Sequence, residues 1–147
     1  MRRLLAIDPG NSSGLALFEF EGQWVLKGAW VTSPDVVVFV PPLEVIVIEC
    51  PKMYPHEKNP GSILKLALTV GRYVERYPGR QFLPNPRDWK GTIDGDIMTA
   101  RIEAEMNARE REIYDKIARG TRHNAADAIG IGKWALRQPW MRVGEVK

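Results

Sequence analysis

Disulfides, membrane spans and a nucleotide-binding phosphate loop are all missing from this sequence of 147 residues. Cys50 is the single cysteine. No internal disulfide can form, so a secreted disulfide scaffold is excluded. One thiol also cannot build a thiolate zinc site. No apolar run approaches the roughly 20 residues of a membrane span. The longest candidate, Val36 to Ile48, is interrupted by Pro41, Pro42 and Glu44. The basic start Met1-Arg2-Arg3 leads into an apolar stretch that meets Asp8 almost at once, which does not read as a secretory signal. No Gly-x-x-x-x-Gly-Lys-Ser/Thr loop occurs. An excess of one charge is lacking too. Lys and Arg number 21 against 18 Asp and Glu, a formal charge of +3, which permits a nucleic-acid partner without requiring one. The expectation is a soluble protein with no membrane partner, cytoplasmic in its own cell or in the host cytoplasm if viral.

What is present is enough apolar mass for a core, 44% hydrophobic against 27% charged residues, in a single domain over residues 1–147. Leu4 to Ile7 reads as a buried strand stopped by Asp8-Pro9-Gly10. Gly14 to Phe20 and Trp24 to Val31 read as two more strands joined by the Glu21-Gly22 turn, so the chain opens with an antiparallel meander. Val36 to Val40 has strand propensity, but its flanking prolines argue for a connecting element. Leu43 to Ile48 is apolar enough for the centre of a sheet, and Gln81 to Pro84 reads as a short fifth strand. Between them the period turns helical, with Ile63, Leu66, Ala67, Val70, Val74 and Tyr77 at three- and four-residue steps. Asp96 to Ile117 reads as one long helix with a narrow apolar stripe of Met98, Ile102, Met106, Ile113 and Ile117. Asn124 to Leu136 reads as a last helix of small and apolar residues, and Gln138 to Lys147 as a loosely held tail. The element order predicts an α/β fold, a mixed sheet with helices on its faces.

Asp8 and Glu49 each end a predicted strand, and Asp127 lies near the start of the last helix. An Asp before Pro-Gly is most often a turn residue, a Glu at a strand end is most often solvated, and an acid near a helix start suits the dipole. The joint placement says more than any one of them. If the first and fourth strands are parallel neighbours, Asp8 and Glu49 end side by side, and the last helix can deliver Asp127 to the same corner. His123 and Asn124 lie four and three residues before Asp127, on its face. Three carboxylates so placed repel one another unless a hard divalent cation sits among them. Oxygen donors suit Mg²⁺, with Mn²⁺ as a substitute, and a pair of such ions about 3.5–4 Å apart supports phosphodiester hydrolysis.

Leu4 to Leu17 (LLAIDPGNSSGLAL) is similar to the first motif of RuvC-type Holliday junction resolvases, in the RNase H-like superfamily. Val45 to Glu49 (VIVIE) resembles the second, and His123 to Gly130 (HNAADAIG) the last. The three motifs occur in family order across nearly the whole chain. Asn85 to Gly91 (NPRDWKG), followed by an acidic-basic helix, is similar to phage-type members. The resemblance implies an RNase H-like five-stranded sheet whose second strand is antiparallel to the rest. It also implies a Mg²⁺-dependent endonuclease that nicks branched DNA as a homodimer, with Asp8, Glu49 and Asp127 as metal ligands. The chain departs from the family at the position three residues before the last Asp, often an acid or His, where Asn124 stands here. Asn124 as a fourth ligand through its carbonyl, and His123 as a contact to the scissile phosphate, are both open.

An acidic cluster repels DNA, so cations must surround it. Pro51 to Pro60 (PKMYPHEKNP) follows Glu49 and reads as a DNA-contacting loop, with Lys52 and Lys58 at phosphates and Met53 or Tyr54 wedged at a junction base. The plain alternative is a solvated loop with its aromatic packed underneath. Arg87, Lys90, Arg119, Arg122 and Lys133 are further phosphate-contact candidates, whereas Trp89 reads as core. Such contacts give salt-dependent affinity without base readout. The helix Gly61 to Tyr77 is apolar around much of its girth, and Gly71 admits a close neighbour, which makes it the expected homodimer interface. Competing readings are a nuclease for RNA or hybrids, a non-catalytic junction-binding module, and an actin-like or sugar-kinase fold. The last requires a second lobe that 147 residues do not hold.

Overall fold

Alternation along the first strand decides how the molecule is layered. In the computed structural model, which describes residues 1–142, β1 (Arg3–Asp8) sends Leu4 and Ala6 to one face of the sheet and Leu5 and Ile7 to the other. β4 (Val45–Ile48) repeats the pattern with Val45 and Val47 against Ile46 and Ile48. All eight are fully buried, as a central strand covered on both sides requires. β2 (Ser13–Phe20) runs antiparallel to β1, and β3 (Trp24–Thr32) antiparallel to β2, whereas β4 and β5 (Arg80–Phe82) run parallel to β1. The order across the sheet is β3-β2-β1-β4-β5, so β2 alone opposes the other four. This is the five-stranded mixed α/β sheet expected from the element order, with the Val36–Val40 stretch an irregular connection.

One face is covered by the last helix, α5 (Arg122–Leu136), whose Ala125, Ala126, Ala128, Ile129, Gly130, Ile131, Gly132 and Ala135 are all buried. The small residues set its depth. A Cβ on Gly14 would lie 1.8 Å from the backbone oxygen of Asn124, so the start of α5 rests directly on β2. The other face is covered by α1 (Pro60–Arg76), but only by its second half. Val70 and Tyr73 are buried, and Tyr77 closes the helix with its hydroxyl donating to the Val38 carbonyl at 2.7 Å. None of the residues from 60 to 69 is buried.

Two expectations are corrected. Asp96–Ile117 is not one helix but two, α3 (Gly95–Glu105) and α4 (Ala108–Asp115). Met106 leaves the helix with extended backbone (ψ 130°), and Asn107 starts a new one by accepting from the Glu110 amide at 2.9 Å. The break turns α3 toward α5 and α4 toward β3. It also buries Glu110, which accepts from Lys133 at 2.7 Å; Lys133 is therefore engaged in the fold. The tail is not loose in its described part. Pro139–Met141 forms a 3₁₀ turn that stacks Trp140 on Phe82 at 3.8 Å and buries Met141. Residues 143–147 lie outside the described residues. Among the described residues, no helix is long and apolar enough to cross a membrane.

Candidate active site

The same alternation that buries Leu4, Ala6, Val45 and Val47 under α5 carries Asp8 and Glu49 to that face. β1 and β4 are parallel with Ile7 opposite Ile48, and the Glu49 amide continues the ladder by donating to the Ile7 carbonyl at 3.0 Å. Paired strands lie about 4.8 Å apart, so the two acids leave the sheet side by side. Asp8 is also paired with Gly14, on which the backbone of Asn124 sits. One helical turn further, Asp127 looks onto the same corner.

The electrostatics register this crowding. Burial, and then the charges of Glu49 and Asp127, hold the Asp8 carboxyl well above its ordinary range, against a smaller opposing pull from Lys90. Burial likewise pushes Asp127 up to about 6, with Lys90 and His123 pulling down and Glu49 pushing up. Buried like charges of this kind disfavour their own ionisation. Hard, acid-rich donors at one corner fit a divalent cation in chemistry. In the geometry described, however, no three His, Cys, Asp or Glu side chains among the described residues stand close enough to share an ion. Glu49 is already engaged, because its Oε2 accepts a hydrogen bond from the indole Nε1–H of Trp89.

Trp89 belongs to α2 (Pro86–Lys90), a single turn started by a reciprocal capping box between Asn85 and Asp88. It reads as core from the sequence, and it is buried. Its contact with Glu49 was missed, since nothing in the spacing links positions 40 residues apart. Lys90 follows it, with its ammonium 5.4 Å from the Trp89 ring centroid and within electrostatic reach of Asp8 and Asp127.

The remaining candidates fall into three groups. His123 is exposed on the first turn of α5, and Asn124 is half-buried beside Gly14. Lys52, Tyr54 and Arg87 form one cluster, with the guanidinium of Arg87 4.8 Å from the Tyr54 ring centroid and the Lys52 ammonium 5.7 Å from it. Met53 and Lys58 of the same loop are exposed. Arg122, directly before His123, is engaged in the fold. Its guanidinium donates to the Ile117 and Asp115 carbonyls and lies 5.3 Å from the Tyr114 ring centroid, tying α4 to the start of α5. A cleft of about 240 Å³ separates the β1–β2 turn from α1, lined by Gly10, Asn11, Ser62, Lys65, Leu66 and Thr69. A larger one, of about 510 Å³, between β3 and α4 contains none of the candidate residues.

With the architecture and this corner in view, comparison with solved structures is decisive for the fold. RuvC from T. thermophilus in complex with a Holliday junction substrate superposes over 99% of this chain and 98% of its own, with a TM-score of 0.55 and 16% sequence identity. The fold is that of RuvC. A second structure of Thermus thermophilus RuvC covers the same shares at 17% identity and a TM-score of 0.48. No protein-family model and no curated protein sequence matches the chain. At 16% identity the likeness to RuvC is one of fold and does not extend to individual side chains.

Proposed function

We propose that this chain is a divalent-metal-dependent endonuclease that nicks branched DNA, with four-way junctions as its preferred substrate. The observation that carries the reading is the convergence of Asp8, Glu49 and Asp127 on the α5 face where β1 and β4 end, in a fold shared with a junction-bound RuvC. Those three carboxylates, which the described geometry leaves short of sharing one ion, would close on the metal when it binds, with the Asn124 side-chain carbonyl as a fourth donor. Bound there, Mg²⁺ or Mn²⁺ supplies Lewis acidity for activating water and stabilising the leaving oxygen.

The chain's own residues do the rest. Lys90, close to the acids, offsets their repulsion of an approaching phosphate. His123, exposed beside Asp127, is placed to donate to the scissile phosphate. Lys52, Lys58 and Arg87 bind the backbone of one arm, and Lys65 in the cleft beside the β1–β2 turn meets the strand on the other side. None of these contacts reads bases, which suits recognition of branched shape. Met53, exposed next to the Tyr54 cluster, is the side chain available to press on an unstacked base.

A synthetic four-way junction, a flap, a linear duplex and an RNA–DNA hybrid, each with Mg²⁺ or EDTA, test the reading. Nicking of the junction alone, and only with metal, is the expected result. Junction binding with no cleavage under any divalent ion would replace the reading with a binding module. Preferential cutting of the hybrid would replace the substrate.

Symmetric nicking of two strands requires two active sites, and the uncovered half of α1 is the proposed contact. Leu64 and Leu68 are 60% and 72% exposed, and nothing lies within 4 Å of a Cβ built on Gly71. Burying each leucine contributes about 1.5–3 kcal/mol, and a two-fold contact counts each twice. Leu68→Asp is expected to halve the mass seen by sedimentation velocity while leaving the circular dichroism spectrum unchanged. A wild-type chain sedimenting as a monomer at tens of micromolar would refute the dimer.

A further inference from the structure

We propose that Trp89 is a positioning residue for Glu49, and that Gly130 is a glycine because it leaves room for the Trp89 ring and for Ile102 beside it. The proposal rests on the nuclease reading above and names how one of its acids is aimed. An indole N–H can only donate, so Trp89 can serve only as a fixed donor to an oxygen of Glu49. It takes Oε2 and leaves Oε1 directed elsewhere. A glutamate carries three side-chain torsions and loses much freedom when held, whereas the indole that holds this one is buried.

Both ends of the link are anchored in backbone. The Glu49 amide donates to Ile7 at 3.0 Å, and the Cys50 amide donates to the Pro84 carbonyl at 2.7 Å, just ahead of the capping box that starts α2. The ring is fixed from the opposite side by α5. A Cβ on Gly130 would stand 2.8 Å from Cζ3 of Trp89 and 2.5 Å from Cδ1 of Ile102, closer than packed atoms tolerate. Gly130 lies three residues after Asp127, on the same helix face. A single face of α5 therefore supplies one acid directly and, through the room left at Gly130, admits the group that orients another. Partners that orient metal-binding side chains in this way typically account for about 10–100-fold in metal affinity or activity.

The test uses the full-length protein and Trp89→Phe, which keeps an aromatic ring and removes the donor. In ¹⁵N–¹H spectra of the metal-free wild type, the Trp89 indole resonance is assigned by its loss in Trp89→Phe. It is expected to move on Glu49→Gln and to stay in place on Asp94→Asn. By titration calorimetry with Mn²⁺, Trp89→Phe is expected to bind about 10–100-fold more weakly than wild type, with no further loss when added to Glu49→Gln. Its junction affinity is expected to be unchanged, and its nicking to recover as Mn²⁺ is raised. Gly130→Ala, which touches no acid, is expected to weaken Mn²⁺ binding in the same direction. An indole resonance indifferent to Glu49→Gln, or Trp89→Phe binding Mn²⁺ as wild type does, overturns the proposal. Failure of the wild type itself to bind any divalent ion overturns the nuclease reading instead, and the indole response still decides whether Trp89 holds Glu49.

Discussion

Asp8→Asn is expected to lower Mg²⁺-dependent nicking of a four-way junction by on the order of a thousandfold, with junction binding retained. The substitution is nearly isosteric, and Asp8 is surrounded by a sheet that does not depend on its charge. Its backbone is fixed by pairing with Gly14, and the chain before it by pairing with β4. What changes is the donor. An anionic oxygen at the end of the central strand becomes a neutral amide, in a reaction whose charge must be neutralised at that point. In the proposed reading, affinity for DNA comes from elsewhere, from Lys52, Lys58, Arg87 and Lys65, and removing one negative charge beside the phosphate is expected only to assist it. Glu49→Gln and Asp127→Asn are expected to behave alike. Single-turnover nicking and EDTA-arrested binding, measured on the same junction, separate the two effects. Nicking by Asp8→Asn at the wild-type rate would remove this corner from the chemistry.

How much of this was legible beforehand differs from element to element. The central strands were plain, because Leu4–Ile7 and Val45–Ile48 are uninterrupted apolar runs, and a run of that kind belongs inside a sheet covered on both sides. Once they are parallel neighbours, the period of two places Asp8 and Glu49 on one face without further assumption. The break at Met106–Asn107 was hidden by its own fitness for a helix, since Met106 falls on the apolar stripe. Even so, Asn107 with Glu110 three residues later is a helix-start pattern that could have revealed it. The start of the tail was misjudged because Trp140 finds Phe82 across the fold, far away in sequence. Trp89 shows the limit most sharply. A tryptophan between charged neighbours gives no periodic signal, and its link to Glu49, just past the end of β4, is made by a single donor atom.

Without divalent ions, the protein is expected to be more stable near pH 5 than near pH 7.5, the reverse of the behaviour of ordinary salt-bridged acids. The sign follows from proton counting. Asp127 takes up its proton at about 6 in the fold against 3.8 ordinarily, and burial with neighbouring charge raises Asp8 as well. Between the ordinary and the raised values the native state binds more protons than the unfolded chain, so stability falls as pH rises through that window. For Asp127 alone the penalty at neutral pH is on the order of 3 kcal/mol. Asp8→Asn and Asp127→Asn, each removing one charge, are expected to flatten the profile and raise the metal-free Tm at pH 7.5 by roughly 5–10 °C. Added Mg²⁺ is expected to stabilise the wild type at pH 7.5, by about 2.7 kcal/mol at a hundred times its Kd, and to leave Asp8→Asn nearly unmoved. Thermal melts in EDTA at pH 5, 6 and 7.5, repeated with Mg²⁺, carry the measurement. A metal-free Tm that climbs from pH 5 to 7.5, or that drops in Asp8→Asn, would mean that the three acids do not strain against one another, and the case for a cation among them would go with it.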